Sequence, residues 1–236
     1  MKNLAIKIEN LNVIYPIYGD SEFSLRSKFA NFFNRNKKVN DIKYIHALKN
    51  INLEINEGER VGLIGPNGSG KTTFLKTVSG IYKPSTGYVK SNYEIYTMLD
   101  VGMGLSGDAT GRENIDLMAL VRGLSRAEIE PKKEDIIDFS GIRKSIDLPL
   151  RTYSSGMGVR LATAIALEID FDIIVIDEFF GAGDEEFRLK TDKRLREMMK
   201  TSKVVLFASH DFGLVENICN RVLKFDNGEI IEDRYL

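Results

Sequence analysis

The chain has 236 residues, enough for one sizeable domain or two tightly coupled small ones and too short for a string of independent modules. Its 43% hydrophobic and 28% charged residues, with a formal net charge of -1, exclude a disordered chain and a nucleic-acid binder that works through excess positive charge. A single cysteine, Cys219, rules out an internal disulfide; MKNLAIKIEN lacks a secretory pattern, and no apolar run reaches the roughly 18 to 20 residues that span a bilayer, so the expectation is a cytosolic chain that meets a membrane only through a partner or at its surface.

From Leu4 the alternation in LAIKIENLNVIY predicts an edge strand, and an irregular, inserted stretch follows from Pro16 to about Lys43. Order returns at His46 with ALKNINLEI, a turn at Asn56 to Glu59, and the short apolar run RVGLIG, a buried strand ending in glycine. A helix is predicted from Lys71, with Gly80 and Pro84 marking its end. Tyr88 to Lys90 and Glu94 to Leu99 read as strands, and Arg112 to about Gly123 as a helix, after which helical patterns dominate to Glu168. DIIVIDE at 172–178 and KVVLFASH at 203–210 are further continuously apolar strands. Three such strands separated by helices predict a parallel sheet covered on both faces. RVLKFDNGEII closes the chain with a hairpin signal at Asn227 and Gly228.

The segment GPNGSGKT fits G-x-x-x-x-G-K-[ST] between a predicted strand and a predicted helix, which is the context a phosphate-binding loop requires. Gly65, Pro66, Asn67, Gly68, Ser69 and Gly70 form a loop whose backbone N–H groups can wrap a phosphate, and the helix start adds its positive end. Lys71 supplies a point charge for the β- and γ-phosphates, and the Thr72 hydroxyl is a candidate Mg²⁺ ligand. Asp177 falls at the C-terminal end of a buried strand, where open parallel sheets bind ligands, and is a second candidate Mg²⁺ ligand. The adjacent Glu178 is placed to orient and deprotonate an attacking water. Upstream of this pair, YSSGMGVRLA opens a helix with Ser154, Ser155 and Gly156, a second anion-accepting helix start in the same chain; a plain serine-capped helix is the alternative.

In that position YSSGM resembles the signature motif of the ABC ATPases, LSGGQ, matching at Ser154 and Gly156 and departing at Tyr153, Ser155 and Met157. The resemblance covers essentially the whole chain. It implies a P-loop NTPase α/β fold with a mixed sheet, one ATPase domain over 1–236, and a helical subdomain inserted at 104–168. It also implies ATP and Mg²⁺ as cofactors, and a homodimer in which each ATP is sandwiched between the P-loop of one subunit and the signature motif of the other. Asp184 resembles the D-loop aspartate that bridges the two sites, and His210 the switch histidine that contacts the γ-phosphate. No glutamine follows Leu99 in LDVGMGLSGDATGRENI, where the family carries one; Asp100 is the nearest polar substitute and a third candidate for the metal. The ring that stacks on adenine is Tyr15, Tyr44 or His46.

Three details together, the insertion, the GMGLSGDATGREN stretch and the YSSGM signature, resemble the ATPases of bacterial exporters of O-antigen, teichoic acid or capsule. That implies separate transmembrane permease subunits and a place on the cytoplasmic face of the membrane. Some relatives carry a C-terminal carbohydrate-binding domain, and with the sequence stopping a few residues after its final hairpin the expectation is that this chain has none. Within the insertion, 17–45, Leu25, Phe29, Phe32 and Phe33 fall at helical spacing beside Arg26, Lys28, Arg35, Lys37 and Lys38. A basic amphipathic helix of this kind suits an interfacial element against headgroups or a membrane partner, or else a satellite packed on its own domain. Soluble ABC ATPases acting on ribosomes or DNA typically have linked cassettes or a long coiled coil, and a GTPase needs an NKxD-like motif; neither pattern occurs.

Overall fold

The computed structural model describes residues 3–17, 43–99, 102, 104–169, 171–177 and 184–236. Nine strands and seven α-helices occur among them: β1 (Leu4–Ile17), β2 (Lys43–Asn56), β3 (Arg60–Ile64), α1 (Lys71–Val78), β4 (Thr86–Ser91), β5 (Ile95–Thr97), α2 (Gly111–Val121), α3 (Arg126–Ile129), α4 (Lys133–Ser140), α5 (Ser155–Leu167), β6 (Ile173–Asp177), α6 (Glu185–Thr201), β7 (Val204–Ala208), α7 (Phe212–Ile218), β8 (Arg221–Asp226) and β9 (Glu229–Tyr235). The insertion bearing Phe29, Phe32 and Phe33 lies outside the described residues, as do Asp100 and Glu178.

The short apolar runs become the middle of a six-stranded sheet in the order β5-β6-β7-β3-β8-β9. It is parallel from β5 to β8 and antiparallel only at β9, so the sheet is mixed. Continuous apolarity is what burial on both faces demands. Ile173, Val175, Leu206, Leu63 and Phe225 point to one side, where α1 and the smaller sheet cover them. Ile174, Ile176, Val205, Phe207 and Val222 point to the other, against residues of α5, α6 and α7. A third apolar cluster joins α2 to α5 through Ile115, Met118, Ile137, Leu161 and Ile165. Its first helix is fixed by a reciprocal cap, in which Thr110 accepts from the Glu113 N–H and Glu113 accepts from the Thr110 N–H.

The second sheet is antiparallel, in the order β2-β1-β4. Here the structure corrects the expectation of an edge strand: β1 is central, paired with β2 from Leu4↔Asn56 to Ile17↔Lys43 and with β4 from Ile6↔Ser91 to Asn12↔Thr86. Alternation reports only that one face is buried, as Ile6, Ile8, Leu11 and Val13 are; it carries no information about how many neighbours a strand has. The ordered ladder also runs further than expected, through Pro16↔Tyr44, and β2 begins before His46. Pro16 is tolerated because β1 has lost its β4 neighbour by then, Asn12 being the last residue paired to it. Among the described residues no helix is long and apolar enough to cross a membrane.

Candidate nucleotide site

The phosphate-binding loop leaves β3 at Ile64 and enters α1 at Lys71. Gly65 has φ of 142°, and a Cβ on it would lie 2.2 Å from the Phe225 carbonyl oxygen, so the first residue of the loop must be glycine to pass β8. The Lys71 Nζ donates to the carbonyls of Gly65 at 2.7 Å and Pro66 at 3.1 Å, folding the lysine back along the loop. The Thr72 hydroxyl donates to Asp177 Oδ2 at 2.6 Å, which joins the start of α1 to the end of β6.

A cavity of about 580 Å³ opens beside this junction. Asn67, Gly68, Ser69, Gly70, Lys71 and Thr72 line it together with Asp177 and His210. The sheet order explains the convergence. β3, β6 and β7 lie side by side and parallel, so the loop, Asp177 and His210 all leave at the same C-terminal edge. A hydroxyl and a carboxylate touching at one point are hard oxygen donors of the kind Mg²⁺ takes, with its remaining positions left to water and phosphate. The residues present therefore fit that ion.

Ser154, Ser155 and Gly156 do not line the cavity. They start α5, where the Ser154 hydroxyl accepts from the Met157 N–H at 3.3 Å, and all three are exposed. Asp184 caps α6 by accepting from the Phe187 N–H at 2.9 Å and pairs with Arg160 of α5 at 2.6 Å. The Phe187 N–H, with Arg160 adding to it, holds the Asp184 carboxyl below the usual range.

Of the three rings proposed for the base, His46 lines the cavity. Its Nε2 lies 2.9 Å from Asn12 Oδ1, which also accepts from the Asn50 N–H. Tyr44 is 65% exposed and does not line the cavity, while Tyr15 packs edge-on against Tyr82 with ring centroids 5.7 Å apart. Lys49, Asn227 and Gly228 also line the cavity, and reading the sequence missed them. Asn227 and Gly228 were legible only as a turn, since their approach to the loop is a tertiary contact with no local signal.

Comparison with known proteins gives relatives along nearly the whole chain. The family model described as ABC transporter matches residues 48–181. The chain is 38% identical over 232 residues to the O-antigen export system ATP-binding protein RfbE of Yersinia enterocolitica, covering 97% of each. It is 35% identical to the teichoic acids export ATP-binding protein TagH of Listeria innocua, covering 98% of this chain and 67% of that one. Its fold matches the dimeric ATP-binding cassette MJ0796 bound to ADP and Pi, with a TM-score of 0.71 at 23% identity over 98% of both chains. With the phosphate loop, Asp177 and His210 on one cavity and these relatives over nearly its full length, the chain belongs to the ABC transporter family and is an ATP-binding, ATP-hydrolysing subunit.

Proposed function

We propose that this chain is the ATPase subunit of an exporter that moves a lipid-linked polysaccharide, such as O-antigen, teichoic acid or capsule, across the cytoplasmic membrane. The names of the relatives that align over nearly all of the chain support the substrate class. The single observation that carries the mechanism is the separation of the site into two parts, a cavity with Lys71, Thr72 and Asp177, and an exposed helix start with Ser154, Ser155 and Gly156 outside it.

In this reading the N–H groups of Asn67 to Gly70 and the Lys71 ammonium bind the β- and γ-phosphates. Thr72 and Asp177 would hold Mg²⁺, which would neutralise charge on the phosphates. Asp100 is the reserve ligand from the sequence. Glu178, next to Asp177, orients the water and takes its proton, and His210 contacts the γ-phosphate. Ser154 to Gly156 of one copy close over the nucleotide held by a second copy, so the working unit is a homodimer attached to separate transmembrane subunits on the cytoplasmic face. The basic segment within 17–45 serves the contact with the membrane complex.

The shared site is tested by mixing. Lys71→Ala and Ser154→Arg chains are each expected to be inactive, whereas their heterodimer regains one intact composite site and a substantial fraction of the hydrolysis. Failure to complement, with wild-type turnover per chain independent of concentration, sinks the model. For the substrate class, a host carrying Lys71→Ala should accumulate lipid-linked glycan inside and lose it from its surface; an unchanged surface glycan overturns it.

A further inference from the structure

The turn at the tip of the β8–β9 hairpin is distant from the phosphate loop in sequence and lies against it in space. The Gly228 N–H donates to the Ser69 carbonyl at 2.9 Å, and the Gly228 carbonyl accepts from the Lys49 N–H at 2.8 Å. One residue thus bridges the loop to β2. Gly70 shares the contact, since a Cβ there would lie 2.9 Å from the Ala47 carbonyl oxygen and 3.4 Å from the Gly228 Cα.

A loop that holds phosphate through N–H groups must have its carbonyls engaged elsewhere, because a carbonyl oxygen turned toward phosphate repels it. Lys71 takes the carbonyls of Gly65 and Pro66. The carbonyl of Ser69 is taken by the hairpin. No cis peptide bond is present among the described residues, and in a trans peptide C=O and N–H point in opposite directions. Holding the Ser69 oxygen on the hairpin side therefore turns the Gly70 N–H to the other side.

We infer that Gly228 is a positioning residue for the nucleotide: through its backbone N–H it fixes the Ser69–Gly70 peptide in the orientation that binds phosphate. The position demands glycine for two reasons. Its φ is 84°, in the left-handed region, and a Cβ would lie 2.7 Å from the oxygen and 3.0 Å from the carbon of the Ala47 carbonyl. Those are backbone atoms that cannot swing aside, so an added methyl has to push the tip away from Ser69.

Gly58 supplies a matched control. It also has φ of 84°, but a Cβ on it would meet nothing within 4 Å. Gly58→Ala thus carries the same backbone strain without the displacement. Steady-state ATP hydrolysis and ADP binding are measured for wild type, Gly58→Ala, Gly228→Ala and Lys71→Ala. The expected result is that Gly58→Ala lowers Tm with KM unchanged, whereas Gly228→Ala raises KM for ATP and Kd for ADP at least about tenfold with kcat within about threefold. If Gly228→Ala binds ADP as Gly58→Ala does while Lys71→Ala has lost it, the inference falls and the nucleotide site stands. If Lys71→Ala also binds normally, the assignment of the cavity itself falls. Should Gly228→Ala fail to fold, Gly228→Asn keeps the Cβ with less left-handed strain and is judged by the same criterion. Hydrogen exchange on the unmodified chain gives an independent reading: ADP should slow the Gly228 and Lys49 amides together with the loop, and slowing confined to the loop overturns the inference.

Discussion

Arg221 of β8 is a buried cation with four side-chain hydrogen bonds, and its removal should carry a large stability cost. Its guanidinium donates to Glu59 Oε2 at 2.6 Å, to the Glu54 carbonyl at 2.8 Å, and to both Asp233 oxygens at 2.8 and 2.7 Å. Its side chain is 7% exposed and that of Glu59 1%, so Arg221→Leu leaves a buried carboxylate without its cation. Breaking a buried pair from one side costs about 3–5 kcal/mol. At about 2–4 °C per kcal/mol for a chain of this size, Tm should fall by roughly 6–20 °C.

The loss should also depend on pH. Burial pushes the Glu59 carboxyl up, but the bonds from Arg221, Asn56 and Tyr235 outweigh it and the net shift is downward. A carboxyl depressed on folding stabilises the protein above its unfolded value, near 4.3, and that contribution disappears as pH falls through the folded value. In Arg221→Leu the bond that lowers it most is lost while burial, the largest influence, remains, so the folded value rises relative to wild type and less stability is held in the ionised form at neutral pH. Thermal melts from pH 8 down to pH 5 should therefore show the gap between variant and wild type narrowing, and Glu59→Leu in the Arg221→Leu background should recover much of the loss. A fall in Tm under about 3 °C, or a gap that stays constant with pH, refutes the assignment.

Burial pushes the Cys219 thiol up to about 12, so at pH 8 only roughly one in ten thousand is thiolate; alkylation by iodoacetamide should run about a thousandfold slower than for a free thiol and recover in denaturant. Fast labelling of the folded chain would show that α7 does not seal it. At the start of α6, Asp184 both caps the helix and pairs with Arg160, whose side chain is 23% exposed while that of Asp184 is 64% exposed. Asn preserves the cap, so Asp184→Asn should lower Tm only slightly and Asp184→Ala should lower it distinctly further; equal losses would mean the cap contributes nothing.

The parts of the site that were legible in sequence are those whose geometry is written in contiguous residues. GPNGSGKT after RVGLI specifies strand, loop and helix in one string, and the structure delivers β3, the loop and α1 at those positions. Asp177 was legible for the same reason, at the end of a run apolar enough to be a strand buried on both faces. Which of the three candidate rings borders the cavity was not legible, because Tyr15, Tyr44 and His46 are equally aromatic in sequence and are separated only by how β1 and β2 pair. A register shift between Val13 and Ile14 leaves Ile14 opposite His46. That irregularity has no signature in the alternation, and with it Tyr15 turns toward Tyr82 while His46 borders the cavity. The central place of β1 escaped similarly, since pairing with β4 is decided 74 to 85 residues later in the chain, from Asn12↔Thr86 to Ile6↔Ser91.

The two helix starts to which the proposal assigns phosphate contacts have unequal surroundings, and the difference bears on the proposed mechanism. The start of α1 is bordered by Asp177 at the end of β6, by His210 two residues beyond β7 and by the β8–β9 tip, so under the proposal a phosphate there meets Lys71, Asp177 and His210 together. The start of α5 has its Ser154 hydroxyl engaged with Met157 and is otherwise exposed, with no residue of the cavity beside it in the lining. A helix N-terminus alone holds an anion weakly in water, because its partial charge is screened and falls off within a turn. Under the proposal, Ser154 to Gly156 acquire their effect only when a second copy brings a nucleotide to them, and the low dielectric of the closed contact then strengthens every N–H directed at the γ-phosphate. On that reading ATP binding closes the pair, because further phosphate-binding donors arrive with the partner, and hydrolysis reopens it by removing the γ-phosphate that both copies share.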